Sequence, residues 1–173
     1  GQEIFYSNSV IRLLEEDKLL TLADSSYVLI EFMPSVPYSE ICTAVRNLSR
    51  TGYIPVIAHA ERYRCLRKGK RLEELIGLDA LIQMNYKSVG GSWHDVTAHW
   101  CRENLKKGNV HLMGTDMHNT GNRMPDTKEA MSWMRTHLDR TYLKKITKDN
   151  ALRITENKII KYRGAMMGKT HDD

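Results

Sequence analysis

Four short apolar runs end in side chains that can bind a metal ion or a phosphate. Val28-Leu29-Ile30 leads into Glu31, and Ile54-Pro55-Val56-Ile57-Ala58 leads into His59, with Glu61 and Arg62 close behind. Leu81-Ile82-Gln83-Met84 leads into Asn85. Val110-His111-Leu112-Met113-Gly114-Thr115 leads into Asp116, followed by His118, Asn119 and Arg123. A polar group at the carboxyl end of successive strands is how a parallel α/β sheet or barrel assembles an active site. Carboxylates and imidazoles are donors for Mn, Fe or Zn, and guanidinium groups hold phosphate oxygens with paired hydrogen bonds. Together these types can perform metal-assisted hydrolysis of a phosphate ester.

Each residue also has a structural explanation. Asp116 and His118, two apart beyond a buried strand, are a metal-donor pair or a turn Asp beside an exposed His. A lone His59 at a strand end is more often a packed residue than a ligand. Its coincidence with Asn85, Asp116 and His118 at one end of neighbouring strands favours function, because parallel strands bring equivalent ends together. Glu31 is a metal ligand, a support for a ligating His through its second ring nitrogen, or a partner for Arg62. Glu3, in a strand otherwise made of Ile4, Phe5 and Tyr6, faces either solvent at an edge or the site. Arg62 and Arg123 are the candidate phosphate-binding residues, although Glu61 offers Arg62 a salt bridge instead. The remaining basic run, Arg64 to Arg71, reads as a solvated face, and no CX5R phosphate cradle surrounds any cysteine.

The elements that must position these groups alternate along the chain. Strands are expected at 2–6, 27–32, 54–58, 80–84 and 110–113, nearly all apolar, as for strands buried on both faces. Helical spacing marks 39–51, with Ser39 as cap and Gly52 as stop. It also marks 66–76, 93–107 ended by Gly108, 127–138, 139–146 capped by Asp139, and 149–154. Strand, helix and strand in succession imply a parallel sheet with helical crossovers.

The 173 residues, 41% of them apolar, suffice for one core and one domain. The formal charge of +5 suits an anionic substrate as readily as nucleic acid. Because the basic run lacks interleaved aromatics, a nucleic-acid-binding role is not expected. Three widely spaced cysteines, Cys42, Cys65 and Cys101, form no disulfide framework, which points to a reducing, cytoplasmic setting. No apolar run is long enough to span a membrane.

The blocks Gly1-Gln2-Glu3-Ile4-Phe5-Tyr6, Tyr27–Phe32, Pro55-Val56-Ile57-Ala58-His59-Ala60-Glu61-Arg62-Tyr63, Ile82–Asn85 and Gly114–Asn119 with Arg123 and Pro125 carry a resemblance. They resemble, in order and spacing, the bacterial manganese-dependent protein-tyrosine phosphatases of the PHP (polymerase and histidinol phosphatase) superfamily. These are the capsule and exopolysaccharide phosphatases of the CpsB and YwqE type. The resemblance runs from residue 1 to about residue 160, leaving 161–173 as a tail.

It implies a distorted seven-stranded β/α barrel, TIM-like, with a three-metal cluster, usually Mn and sometimes Fe or Zn. Glu3, His59, Asp116 and His118 match metal ligands, and Arg62 and Arg123 match arginines near the substrate phosphate. The implied reaction is hydrolysis of phosphotyrosine by a metal-activated hydroxide. The implied substrate is a membrane-associated tyrosine autokinase of polysaccharide export.

One departure stands out. The family's opening His-x-His strand and the acidic and His residues that follow have no counterpart here. Since a complete β/α barrel takes about 250 residues, the expectation is an incomplete barrel. The 1–160 region would be the C-terminal two-thirds of the phosphatase domain, with an open edge that invites self-association. The alternatives are an inactive truncated binding fragment, or a PHP phosphoesterase acting on a small phosphate such as histidinol phosphate.

Overall fold

The computed structural model describes residues 1–92, 94–117 and 127–161. Five strands lie side by side in sequence order: β1 (Glu3–Phe5), β2 (Tyr27–Glu31), β3 (Ile54–Ile57), β4 (Leu81–Asn85) and β5 (Leu112–Gly114). Every pairing is parallel. The connections carry α1 (Val10–Glu15), α2 (Tyr38–Arg50), α3 (Arg71–Gly77), α4 (Tyr86–Val89) and α5 (Val96–Lys107). Beyond β5 come α6 (Lys128–His137), α7 (Arg140–Lys144) and α8 (Asn150–Thr155).

Alternation along the strands sorts the sheet into two unlike faces. On one, Ile4, Val28, Ile30, Ile57, Ile82 and Met84 are buried with Ile41, Val45 and Leu48 of α2. Leu72 and Leu75 of α3, Cys101 and Leu105 of α5, and Met134 of α6 join the same core. Burial of each large aliphatic side chain contributes about 1.5–3 kcal/mol before the entropy of ordering it is subtracted.

The other face is apolar only at its base, where Tyr27, Val56, Leu81 and Leu112 pack with Ile154 and Ile160. The Tyr27 hydroxyl donates to the Lys158 carbonyl at 2.9 Å and accepts from the Ile160 N–H at 3.0 Å, pinning that segment beneath the sheet. Towards the carboxyl end the same face bears Glu3, Glu31, Gln83 and Asn85. Register sets Glu3 opposite Leu29, Phe5 opposite Glu31, and Asn85 opposite Gly114.

Local chemistry moves several element boundaries from their expected places. Pro37 is extended (φ −65°, ψ 143°) and starts α2 at Tyr38, so Ser39 lies inside the first turn and caps nothing. Helix α5 starts at Val96 instead of residue 93 because the Asp95 carboxylate accepts from the Thr97 and Ala98 N–H groups, at 2.7 and 3.3 Å. The 66–76 stretch splits into a 3-10 turn, Arg64–Arg67, and α3, with Gly69 between them at φ +57°. Asp139 does cap α7, which runs through a π-helical turn, Lys145–Asp149, into α8.

The described residues form a five-stranded parallel sheet with β1 and β5 at its edges. No helix among them is long and apolar enough to cross a membrane.

Candidate metal centre

Glu3, Glu31 and His59 converge on one point above the polar half of the sheet. Their donor atoms lie within 4.8 Å of one another. Glu31 closes β2, and His59 follows the end of β3 by two residues. Glu3 stands one register row lower on β1, on the same face as Glu31. The His59 Nε2 atom is 2.8 Å from Glu3 Oε1 and 3.3 Å from Glu31 Oε2. It is buried and, among the described residues, makes no hydrogen bond of acceptable geometry.

A divalent cation fits this set. Donors bound at about 2.1 Å and at right angles to one another are about 3 Å apart, close to the 2.8 and 3.3 Å between His59 Nε2 and the two carboxylates. Two carboxylates and an imidazole also match the donor preferences of Mn, Fe and Zn. The two carboxylates repel each other, and positive charge between them relieves that repulsion.

The His59 ring is held from behind. Its Nδ1 is 3.4 Å from the Tyr63 hydroxyl oxygen, which also accepts the Phe32 N–H at 3.0 Å. In the tautomer with Nδ1–H directed at Tyr63, the Nε2 lone pair faces the carboxylates and is free for a cation. Burial pushes the Tyr63 pKa up, so its hydroxyl stays neutral. His59 itself has left-handed backbone angles (φ 32°, ψ 54°), a conformation that costs a non-glycine residue about 1–3 kcal/mol.

Asp116 is left-handed as well, at φ 51°. It is not one of the three converging groups. Its Oδ2 forms an ion pair with Arg62 and takes a 3.4 Å hydrogen bond from Asn85 Nδ2. Thus Arg62 pairs with Asp116, and the expected alternative of a bridge to Glu61 is overturned. Glu61 is buried beneath the loop, where Oε1 accepts from the Asn85 N–H at 3.2 Å and the Ser88 hydroxyl at 2.9 Å. Burial raises its pKa, against the lowering effect of those hydrogen bonds.

Of the expected site residues, Glu3 and His59 come together, with Asp116 and Arg62 adjacent to them through Asn85. His118 and Arg123 lie outside the described residues. Gln83 is not among the expected site residues, yet its amide touches both His59 and Asn85. The available signal was a polar residue interrupting an apolar strand. A larger cavity, of about 650 Å³, lies at the opposite end of the sheet among Lys106, Lys107, His111 and Lys145, remote from the carboxylate pair.

Residues 1–156 match the family model for capsular polysaccharide synthesis, CpsB/CapC. The chain belongs to the CpsB/CapC family. Tyrosine-protein phosphatase CpsB of Streptococcus pneumoniae is 32% identical over 166 residues, which cover 92% of this chain and 68% of that protein. Tyrosine-protein phosphatase YwqE of Bacillus subtilis is 34% identical over 134 residues, 76% of this chain and 52% of that one. Among solved structures, those of YwqE from Bacillus subtilis and CpsB from Streptococcus pneumoniae, described as metal-dependent tyrosine phosphatases, resemble this CpsB/CapC chain. The TM-score is 0.82 at 29% identity, over 98% of this chain and 68% of the other.

Proposed function

We propose that this chain forms the greater part of a metal-dependent protein-tyrosine phosphatase. The observation that carries the reading is the meeting of Glu3, Glu31 and His59 at a buried, hydrogen-bond-poor imidazole nitrogen. Those three residues would hold a divalent cation, with manganese our assignment, and Asp116 and His118 would complete the donor set. Such a cation supplies Lewis acidity towards phosphoryl oxygens and lowers the pKa of water. Arg62, half exposed at the rim, exchanges its Asp116 partner for a phosphate oxygen when substrate arrives, and Arg123 is assigned the same task.

The surroundings favour an aromatic ester over a small polar one. Phe5, Met33 and Met117 are exposed large apolar side chains on the segments that end β1, β2 and β5. A cleft of about 270 Å³ is lined by Phe5, Tyr6, Phe32, Met33, Val36 and Pro37. That surface suits a tyrosine ring carrying the phosphate. The family model's description, capsular polysaccharide synthesis, and the relatives' names, tyrosine-protein phosphatases, support a protein substrate in polysaccharide export, for which we assign a tyrosine autokinase, met in the cytoplasm.

We read residues 1–160 as one domain and the sheet as part of a seven-stranded barrel. Self-association through β1 would cover an edge that is otherwise open among the described residues. A second reading, recognition of phosphopeptide without turnover, draws on the three described donors, which suffice for one cation rather than a cluster. The deciding experiment assays the purified chain with manganese on a phosphotyrosine peptide, histidinol phosphate and a chelated control. Metal-dependent phosphate release from the peptide is expected. Turnover of histidinol phosphate with none on the peptide overturns the reading, and tight peptide binding without turnover selects the second one.

A further inference from the structure

Gln83 is the only polar residue of β4 before its terminal Asn85. Its Oε1 accepts the backbone N–H of His59 at 2.5 Å, while Nε2 donates to the Met84 carbonyl and to Asn85 Oδ1, both at 2.9 Å. These contacts have a direction. A backbone N–H can only donate, so the atom facing His59 must be the amide oxygen, and the amino group then faces Asn85. Asn85 must answer with its own oxygen, which turns its Nδ2 towards Asp116 Oδ2, 3.4 Å away. One backbone donor therefore orients two amides in series and links the ends of β3, β4 and β5.

Gly114 completes the arrangement. It sits opposite Asn85 in the sheet and has no left-handed backbone to explain a glycine. A Cβ there would overlap the Gln83 amide nitrogen and come within 3.3 Å of its Cδ. The glycine is needed for space.

We infer that Gln83 is a positioning residue that fixes His59 in its ligand-presenting backbone conformation and aims Asn85 at Asp116, with Gly114 making room for it. The inference rests on the metal site proposed above. It is tested by calorimetric manganese titration of the purified chain, with thermal unfolding in the absence of metal as a folding control. Gln83→Leu keeps the bulk without the hydrogen bonds and is expected to weaken manganese binding tenfold or more. Gln83→Glu keeps an acceptor for the His59 N–H but cannot donate to the Met84 carbonyl or Asn85, and is expected to bind more tightly than Gln83→Leu and less tightly than wild type. In Gln83→Glu the Asn85 amide must turn round, so its side-chain amide proton resonances shift relative to wild type.

Gly114→Ala is expected to match Gln83→Leu, whereas adding Gly114→Ala to Gln83→Ala changes nothing further. Binding by Gln83→Leu within threefold of wild type overturns the inference. So does a Gln83→Glu variant as weak as Gln83→Leu, or losses from Gly114→Ala and Gln83→Ala that multiply. If Gln83→Leu fails to fold, Gln83→Glu and the Gly114 pair still decide. A wild-type chain that takes up no manganese overturns the metal site itself, a different result from any of these.

Discussion

At the scale of single residues, the candidate site sets two carboxylates side by side, an arrangement that a cation between them would relieve. Glu3 and Glu31 meet at one imidazole nitrogen, so removing either carboxylate removes both a donor and part of the attraction for a cation. Glu3→Gln and Glu31→Gln are each expected to weaken manganese binding tenfold or more, about 1.4 kcal/mol, measured by calorimetry. A Glu31→Gln variant with wild-type affinity would remove Glu31 from the ligand set. Arg62 makes a different prediction. A hydrogen bond between charged partners contributes about 1.5–3 kcal/mol, so Arg62→Ala should raise KM for a phosphotyrosine peptide about tenfold to a hundredfold while manganese affinity holds.

Residue type and position at a strand end nominate His59, Asp116 and Arg62 from the sequence, and the fold brings them to the same end of the sheet. What each one touches was not legible. The pairing of Arg62 with Asp116 instead of Glu61 follows from Glu61 turning inward to the Asn85 N–H and Ser88, which no local pattern announces.

At the scale of elements, β5 carries a pH dependence. His111, just before the strand, accepts the Ile82 N–H on Nδ1 at 3.0 Å, and burial holds its pKa down at about 4, against an ordinary 6.5. The unfolded chain therefore takes up a proton in a range where the folded chain does not. The sign follows: the stabilisation is intact above pH 6.5 and is lost as pH falls towards 4, by up to about 3 kcal/mol. Urea unfolding between pH 7.5 and 4.5 should show this slope, and His111→Gln should flatten it. The helix caps offer a contrast. Asp95→Ala removes the acceptor for two N–H groups of α5 and should lower stability by about 1 kcal/mol with manganese affinity unchanged.

All five strands could be read from the sequence to within two residues, but the expected burial of both faces holds only at the base of the sheet, since Glu3, Glu31 and Gln83 leave one face polar towards its carboxyl end. Helix starts were less legible. Ser39 and Asp95 are both good caps by residue type, and only the extended Pro37 decides that Ser39 goes unused.

At the scale of the whole molecule, one face of the sheet is sealed by helices, and the other passes from an apolar base to a polar rim. That polarity within one face was latent in the strands, where Gln83 and Asn85 follow Leu81 at intervals of two. It becomes visible only when register sets Gln83 opposite Leu112 and Asn85 opposite Gly114. Sedimentation of the chain tests self-association through β1. A concentration-dependent dimer that Phe5→Lys disperses is expected, and a monomer at every concentration removes that proposal.

Strand β1 is three residues long and, among the described residues, pairs only with β2, yet it carries Glu3 of the candidate metal centre. An edge so lightly held should fray, and a cation bridging Glu3 to Glu31 and His59 would act as a staple across it. Occupancy of the centre should then be readable as slowed amide hydrogen exchange in β1. Unchanged exchange on saturation with manganese would mean that Glu3 takes no part.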